Sequence, residues 1–203
     1  MNPPNILLIM TDQQRFDSLG CYGATFAHTP NLDALAADGI RFEYCYVNNT
    51  ICTPSRASLM TGLTLPEHQV HQLYGRLDDT FTLFPKHLQD LGYYTALVGK
   101  LHVSDYHHEA IFRHPNDGFD DYFWCHDPTL ALDSPFNAYA LWLAERDPAY
   151  LEKLRQDGWQ VPAPADLHMT TWAAEQTIDV IRQRPADKPF FCMMSVFDPH
   201  NPY

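Results

Sequence analysis

The sequence lacks a basic excess: 13 Lys and Arg stand against 25 Asp and Glu, for a formal net charge of -12. A surface that tracks nucleic-acid phosphates or anionic lipid needs the opposite balance, so no nucleic-acid or membrane partner is expected, although a local cationic pocket is still allowed. Long apolar runs are also missing, and nothing approaches the roughly 20 residues of a membrane span. The N-terminus has no basic stretch followed by a small-residue cleavage site, so the expectation is a cytoplasmic chain in which NILLIM is a buried strand. Paired cysteine motifs are absent too. The five cysteines, Cys21, Cys45, Cys52, Cys125 and Cys192, form no CxxC, which argues against a zinc knuckle or a redox pair. Four of them read as small buried hydrophobes or inert thiols. Cys52 differs, because it directly precedes Thr-Pro-Ser-Arg and a short helix.

What is present suits one compact unit: 203 residues, 45% of them hydrophobic. Asn5 to Thr11 reads as a central strand covered on both faces. Thr29, Pro30 and Gly39 frame a helix over NLDALAAD whose Leu32, Leu35 and Ala36 share a face. Ile40 to Val47 alternates Phe42, Tyr44 and Tyr46 with Arg41, Glu43 and Cys45, the pattern of a second strand flanking the first. Thr53 and Pro54 cap a helix over Ser55 to Thr61, placing Cys52 at its positive end. A third helix spans Leu83 to Leu91, and a third strand spans Tyr93 to Val98. His107 to Pro164 reads as an irregular excursion with one short helix near Asn137 to Arg146. A helix from Asp166 to Arg184 buries Met169, Trp172, Ala173, Ile178 and Ile181. Pro189 to Phe197 is the last strand. The alternation predicts an α/β fold, a mostly parallel sheet with helices on both faces.

In such sheets ligands lie beyond the carboxyl ends of the strands. Asp12 and Gln13 follow the first strand, Lys100 and His102 the third, and Asp198 and His200 the last, while the loop after the second delivers Cys52 and Arg56. A hard-cation ligand, two cations, two imidazoles and a thiol converge on one edge. His68, His71, His107, His108 and His114 show no ligand spacing.

Two of these stretches are specific. CTPSRASLMTG resembles the first signature of the sulfatase family, C-x-P-S-R followed after two residues by an apolar pair and Thr-Gly, and GYYTALVGKLH resembles the second, G-Y-x-T-x-x-x-G-K-x-H. NILLIMTDQQRFDSLGCYG is similar to the family's metal-binding first strand, and PFFCMMSVFDPHNPY to its segment ending in a substrate-contacting histidine. The resemblance implies an alkaline-phosphatase-like fold. It also implies that Cys52 is oxidised by a formylglycine-generating or anaerobic sulfatase-maturating enzyme to formylglycine, whose hydrate is the nucleophile toward a small sulfate monoester.

By the same resemblance, Asp12, Gln13 and residue 52 bind a divalent cation, Ca²⁺ in preference to Mg²⁺ or Mn²⁺. Arg56 holds the diol and the metal ligands, Lys100 and His102 neutralise substrate oxygens and orient the diol, and His200 protonates the leaving alkoxide. Gln13 departs from the family's usual second aspartate. Asp-Gln also occurs in related phosphonate monoester and phosphodiester hydrolases, which makes that chemistry the alternative; a non-catalytic fragment with an unmodified Cys52 is another. Leu101 and Val103-Ser104 replace the usual tryptophan and Leu-Gly around the histidine. The family's later metal-binding Asp-Asn or Asp-His pair and later lysine match no segment here. Residues 1–203 are accordingly expected to be the N-terminal portion of a single catalytic domain, incomplete at its C-terminus and inactive or weakly active alone.

Overall fold

The structure, a computed structural model, describes residues 3–202. Among them are four strands, β1 (Ile6–Met10), β2 (Tyr94–Gly99), β3 (Asp121–Trp124) and β4 (Phe190–Ser195). The helices are α1 (Pro30–Asp38), α2 (Cys52–Thr61), α3 (Leu65–His68), α4 (Phe84–Asp90), α5 (Tyr106–Glu109), α6 (Ala138–Arg146), α7 (Pro148–Asp157) and α8 (Met169–Gln183). The strands form one parallel sheet in the order β1-β4-β2-β3, with Ile6 opposite Phe191, Tyr94 opposite Phe190 and Ala96 opposite Asp121. Because side chains alternate across a strand, β2 sends Ala96 and Val98 to one face and Leu97 to the other, and β4 divides Cys192 from Phe191 and Met193. One face packs against Tyr139, Leu143, Leu154 and Trp172 of α6, α7 and α8; the other meets Ala57 and Met60 of α2. Each fully buried large apolar side chain stabilises by about 1.5–3 kcal/mol, so β2 and β4 are the anchored centre of the sheet.

Several expectations are corrected. β1 lies at the sheet edge among the described residues, and Leu7 and Ile9 are 44% and 56% exposed, so it is covered on one face only. Ile40 to Val47 forms no strand: Phe42, Tyr44 and Tyr46 are exposed, and no described strand pairs with this segment. Alternation alone does not make a strand where a hydrogen-bonding neighbour is lacking. α1 forms as read, with Pro30 in its first turn and the Asp33 amide donating to Thr29 O, but its apolar face is not buried. The supposedly irregular excursion contains β3 and α7 in addition to α6. α8 starts at Met169, where the His168 ring rather than Asp166 caps it, and its buried side is Met169, Trp172, Ala173, Thr177 and Val180, with Ile178 exposed.

The close approach that brings β2 to β4 needs a glycine. Gly99 has φ +100°, and a Cβ there would lie 2.0 Å from Ser195 O. Gly99→Ala is expected to destabilise the chain by about 3 kcal/mol or more, through both strain and clash. Urea denaturation checks this, and an unchanged midpoint would contradict the packing described.

Candidate active site

The strand ends are stitched together by the backbone before any side chain acts. The Lys100 amide donates to Ser195 O (2.9 Å), the Val196 amide to Met10 O (2.9 Å) and the Asp12 amide to Asp198 O (3.3 Å), so the segments leaving β1, β2 and β4 are fixed side by side. On this platform Lys100 Nζ donates to Asp12 Oδ2 (2.7 Å), and Arg56 Nη2 stands 3.5 Å from the same oxygen. Arg56 also donates through Nη1 to Lys100 O and to Ser195 Oγ, both at 2.9 Å. All three charged groups are buried. Burial pushes the Asp12 carboxyl up, but Arg56 and Lys100 outweigh it and hold it below the ordinary carboxylate value.

α2 carries two of the site residues. Its N-cap is Ile51, so Cys52 is the first helical residue, half-buried, instead of preceding a helix that begins at Ser55. Thr53 does not cap: its hydroxyl donates to Leu73 O (2.8 Å) and meets His102 Nε2 at 3.0 Å. Gly62 closes the helix in the left-handed region, its amide donating to Ser58 O. Cys52 thus sits at the positive end of a ten-residue helix whose fifth residue is Arg56.

Because the one Thr53 hydroxyl proton goes to Leu73 O, Thr53 Oγ1 accepts from His102, which fixes His102 as the Nε2–H tautomer. Its Nδ1 is buried and has no partner among the described residues, as is also true of His126 Nδ1. The two rings meet edge to face with centroids 4.3 Å apart. Burial, the neighbouring imidazole and the cations Lys100 and Arg56 push His102 well below its ordinary value, and burial followed by the same cations does so for His126. Both are therefore neutral at pH 7.

Of the residues singled out from sequence, Asp12, Cys52, Arg56, Lys100 and His102 come together. His200 is half-buried with its ring on Phe197, centroids 4.5 Å apart, at the margin of the cluster. Gln13 has φ +58° and an exposed side chain, and no described hydrogen bond ties that side chain to the cluster. The donors fit a hard cation in kind, since Asp12 offers a buried carboxylate, but not in number: no three His, Cys, Asp or Glu side chains converge among the described residues. Sequence reasoning missed Thr53, Ser195, His126 and Glu109 as parts of the site. Of the histidines set aside, His68 is a satisfied core residue, bonded to Ser58 Oγ (2.8 Å) and the Val70 amide (3.1 Å).

The model of the Sulfatase family matches residues 4–203. The chain belongs to the sulfatase family. This sulfatase-family chain is 32% identical to an arylsulfatase of Clostridium perfringens, over 98% of the chain and 44% of that protein. It is 30% identical to human N-acetylgalactosamine-6-sulfatase, over 98% of the chain and 40% of the relative. Among solved structures it resembles the phosphonate monoester hydrolase of Agrobacterium radiobacter, with TM-score 0.76, 26% identity, and coverage of 98% of this chain and 42% of that one. A protein solved with its substrate D-glucosamine-2-N,6-O-disulfate gives TM-score 0.70 and 27% identity, covering 98% and 35%. The sulfatase-family chain thus spans less than half the length of these relatives. Its parallel sheet with helices on both faces agrees with the α/β, alkaline-phosphatase-like expectation. Among the described residues no helix is long and apolar enough to cross a membrane.

The neutral pair makes a signed prediction. A histidine whose folded value is depressed contributes stability that is fully present above the unfolded value of 6.5 and is lost as pH falls below it. Unfolding free energy should fall on acidification below pH 6.5, with a slope of up to about 1.4 kcal/mol per pH unit from each histidine. Replacing His126 by Asn should flatten that slope in urea titrations between pH 7.5 and 5.5. An identical slope in the variant would show that His126 is not buried in its neutral form.

Proposed function

We propose that this region carries the nucleophile and anion-binding half of a sulfuric ester hydrolase, cleaving a small sulfate monoester. The observation that supports this most directly is Cys52 at the first position of α2, beside a buried cluster of Lys100, Arg56 and Asp12 that carries two positive charges against one negative. Two cations with a helix N-terminus suit a tetrahedral oxyanion, and the nearby histidines add no charge at neutral pH.

In the proposed reaction Cys52, oxidised to formylglycine by a maturation enzyme, supplies a hydrated aldehyde whose oxygen bonds to sulfur while the ester alcohol departs; loss of the second hydroxyl proton then re-forms the aldehyde and releases sulfate by C–O cleavage. Lys100 and Arg56 neutralise the sulfate oxygens. His102, neutral and bonded through Nε2–H to Thr53, keeps its Nδ1 lone pair to accept a proton, the task of a general base. In this reading His200, at the edge of the cluster, protonates the leaving alkoxide. Asp12 is the carboxylate with which this region would hold a divalent cation, Ca²⁺ ahead of Mg²⁺ or Mn²⁺ for an oxygen donor, with Gln13 and residue 52 as further candidates. His126 lies against His102, with the Tyr106 ring 5.3 Å from that of His126, and in this reading the stretch from Tyr106 to His126 shapes the pocket for the alcohol.

The likeness to a phosphonate monoester hydrolase supports a second reading, in which the same nucleophile acts on a phosphonate or phosphodiester. Comparing turnover of an aryl sulfate and an aryl phosphonate by the natively expressed protein separates the two. The sulfate is expected to be the better substrate by kcat/KM, and Cys52→Ala should lower turnover by on the order of 10⁴-fold. A preference for the phosphonate would move the assignment to the second reading. Full activity in the alanine variant would remove both.

A further inference from the structure

Glu109 ends α5, a single turn whose start is secured by the Asp105 side chain accepting from the His107 amide. Its side chain is 3% exposed, although no cation among the described residues forms an ion pair with it. Four donors meet its carboxylate instead. Oε2 accepts from the His102 amide (2.9 Å) and Trp124 Nε1 (3.0 Å), and Oε1 from the amides of Val103 (2.8 Å) and Ser104 (3.1 Å). No backbone carbonyl among the described residues accepts from these three consecutive amides. His102 itself has φ +58°, a conformation that costs a non-glycine residue about 1–3 kcal/mol and persists only where its surroundings impose it.

We propose that Glu109 is the positioning residue for His102: its carboxylate gathers the amides of residues 102–104, imposes the left-handed backbone, and so delivers the imidazole to Thr53 with Nδ1 left unpaired inside the cluster. Three successive N–H groups turned onto one acceptor make a small anion nest, here filled by the chain's own carboxylate. The fourth bond extends the effect. Trp124 ends β3, two residues before His126, so the same carboxylate ties the loop carrying His102 to the strand that sets the edge-on His126 ring against it. Glutamine cannot replace it despite equal size, because its NH₂ would face an N–H where an oxygen is required. The catalytic meaning of this positioning rests on the hydrolase reading above, whereas the geometry does not.

Two measurements test it. In the unmutated protein, hydrogen exchange at the amides of His102, Val103 and Ser104 should be on the order of 10²-fold slower than for an unprotected loop. Exchange at ordinary loop rates would overturn the proposal, and this readout needs no variant to fold. In Glu109→Gln, side-chain ¹⁵N spectra at pH 7 should show His102 changing from the single Nε2–H tautomer to a mixture, with kcat down about 10²-fold and KM within about threefold. A folded variant that keeps the single tautomer contradicts the proposal. If the tautomer changes but the natively expressed protein hydrolyses neither ester, the positioning role stands and the hydrolase reading falls.

Discussion

One buried carboxylate, Asp12, organises the edge of the sheet that carries the candidate site. Lys100 and Arg56 share its Oδ2, and through them α2 is tied to the ends of β1 and β2, which the backbone hydrogen bonds already set side by side. Removing Asp12 would leave two buried cations uncompensated, a loss of about 3–5 kcal/mol. The desolvation of such a cluster offsets much of its attraction, so its worth lies in placement more than in stability. Two cations and one anion leave a net positive pocket, and a pocket of that kind fits an oxyanion.

The neighbouring groups follow from that arrangement. Buried, and with two cations fixed nearby, His102 and His126 stay neutral, and a neutral His102 has one nitrogen to donate and one to accept. Thr53 takes the donor; the acceptor remains. The left-handed backbone at Gln13 and His102 occurs where the chain leaves β1 and β2, the two places at which it must turn sharply to present side chains to the same point. Strain at such positions is stored by the ordered strands behind them.

Much of this was legible in the sequence, and the reasons for success and failure are physical. β2, β4 and α8 were found because apolar periodicity and cap residues act locally. Cys52, Arg56, Lys100, His102 and Asp12 were found because each follows a strand or opens a helix and lies in a specific motif. β3 was missed because Asp121–Trp124 is four residues of acidic and aromatic character without alternation. α7 was missed although Pro148 after a capping Asp147 and Gly158 as a stop are helix signals. The segment 40–47 was misread because strand pattern was taken for strand pairing. Ser195, Thr53, Glu109 and His126 carry no local signal for a role at the site: their importance lies in partners 139, 49, 7 and 24 positions away, which only the folded chain brings close. Glu109 shows this most clearly, since a lone carboxylate among aromatics reads as a surface charge.

In the proposed hydrolase, position 52 is the precursor of an aldehyde nucleophile served by this cluster. Mass spectrometry of the peptide spanning Cys52, from protein co-expressed with a maturation enzyme, tests it most directly. Residue 52 is expected to carry an aldehyde, trapped by a hydrazine reagent, while Cys21, Cys45, Cys125 and Cys192 remain thiols. An unmodified thiol at position 52 under those conditions would contradict it.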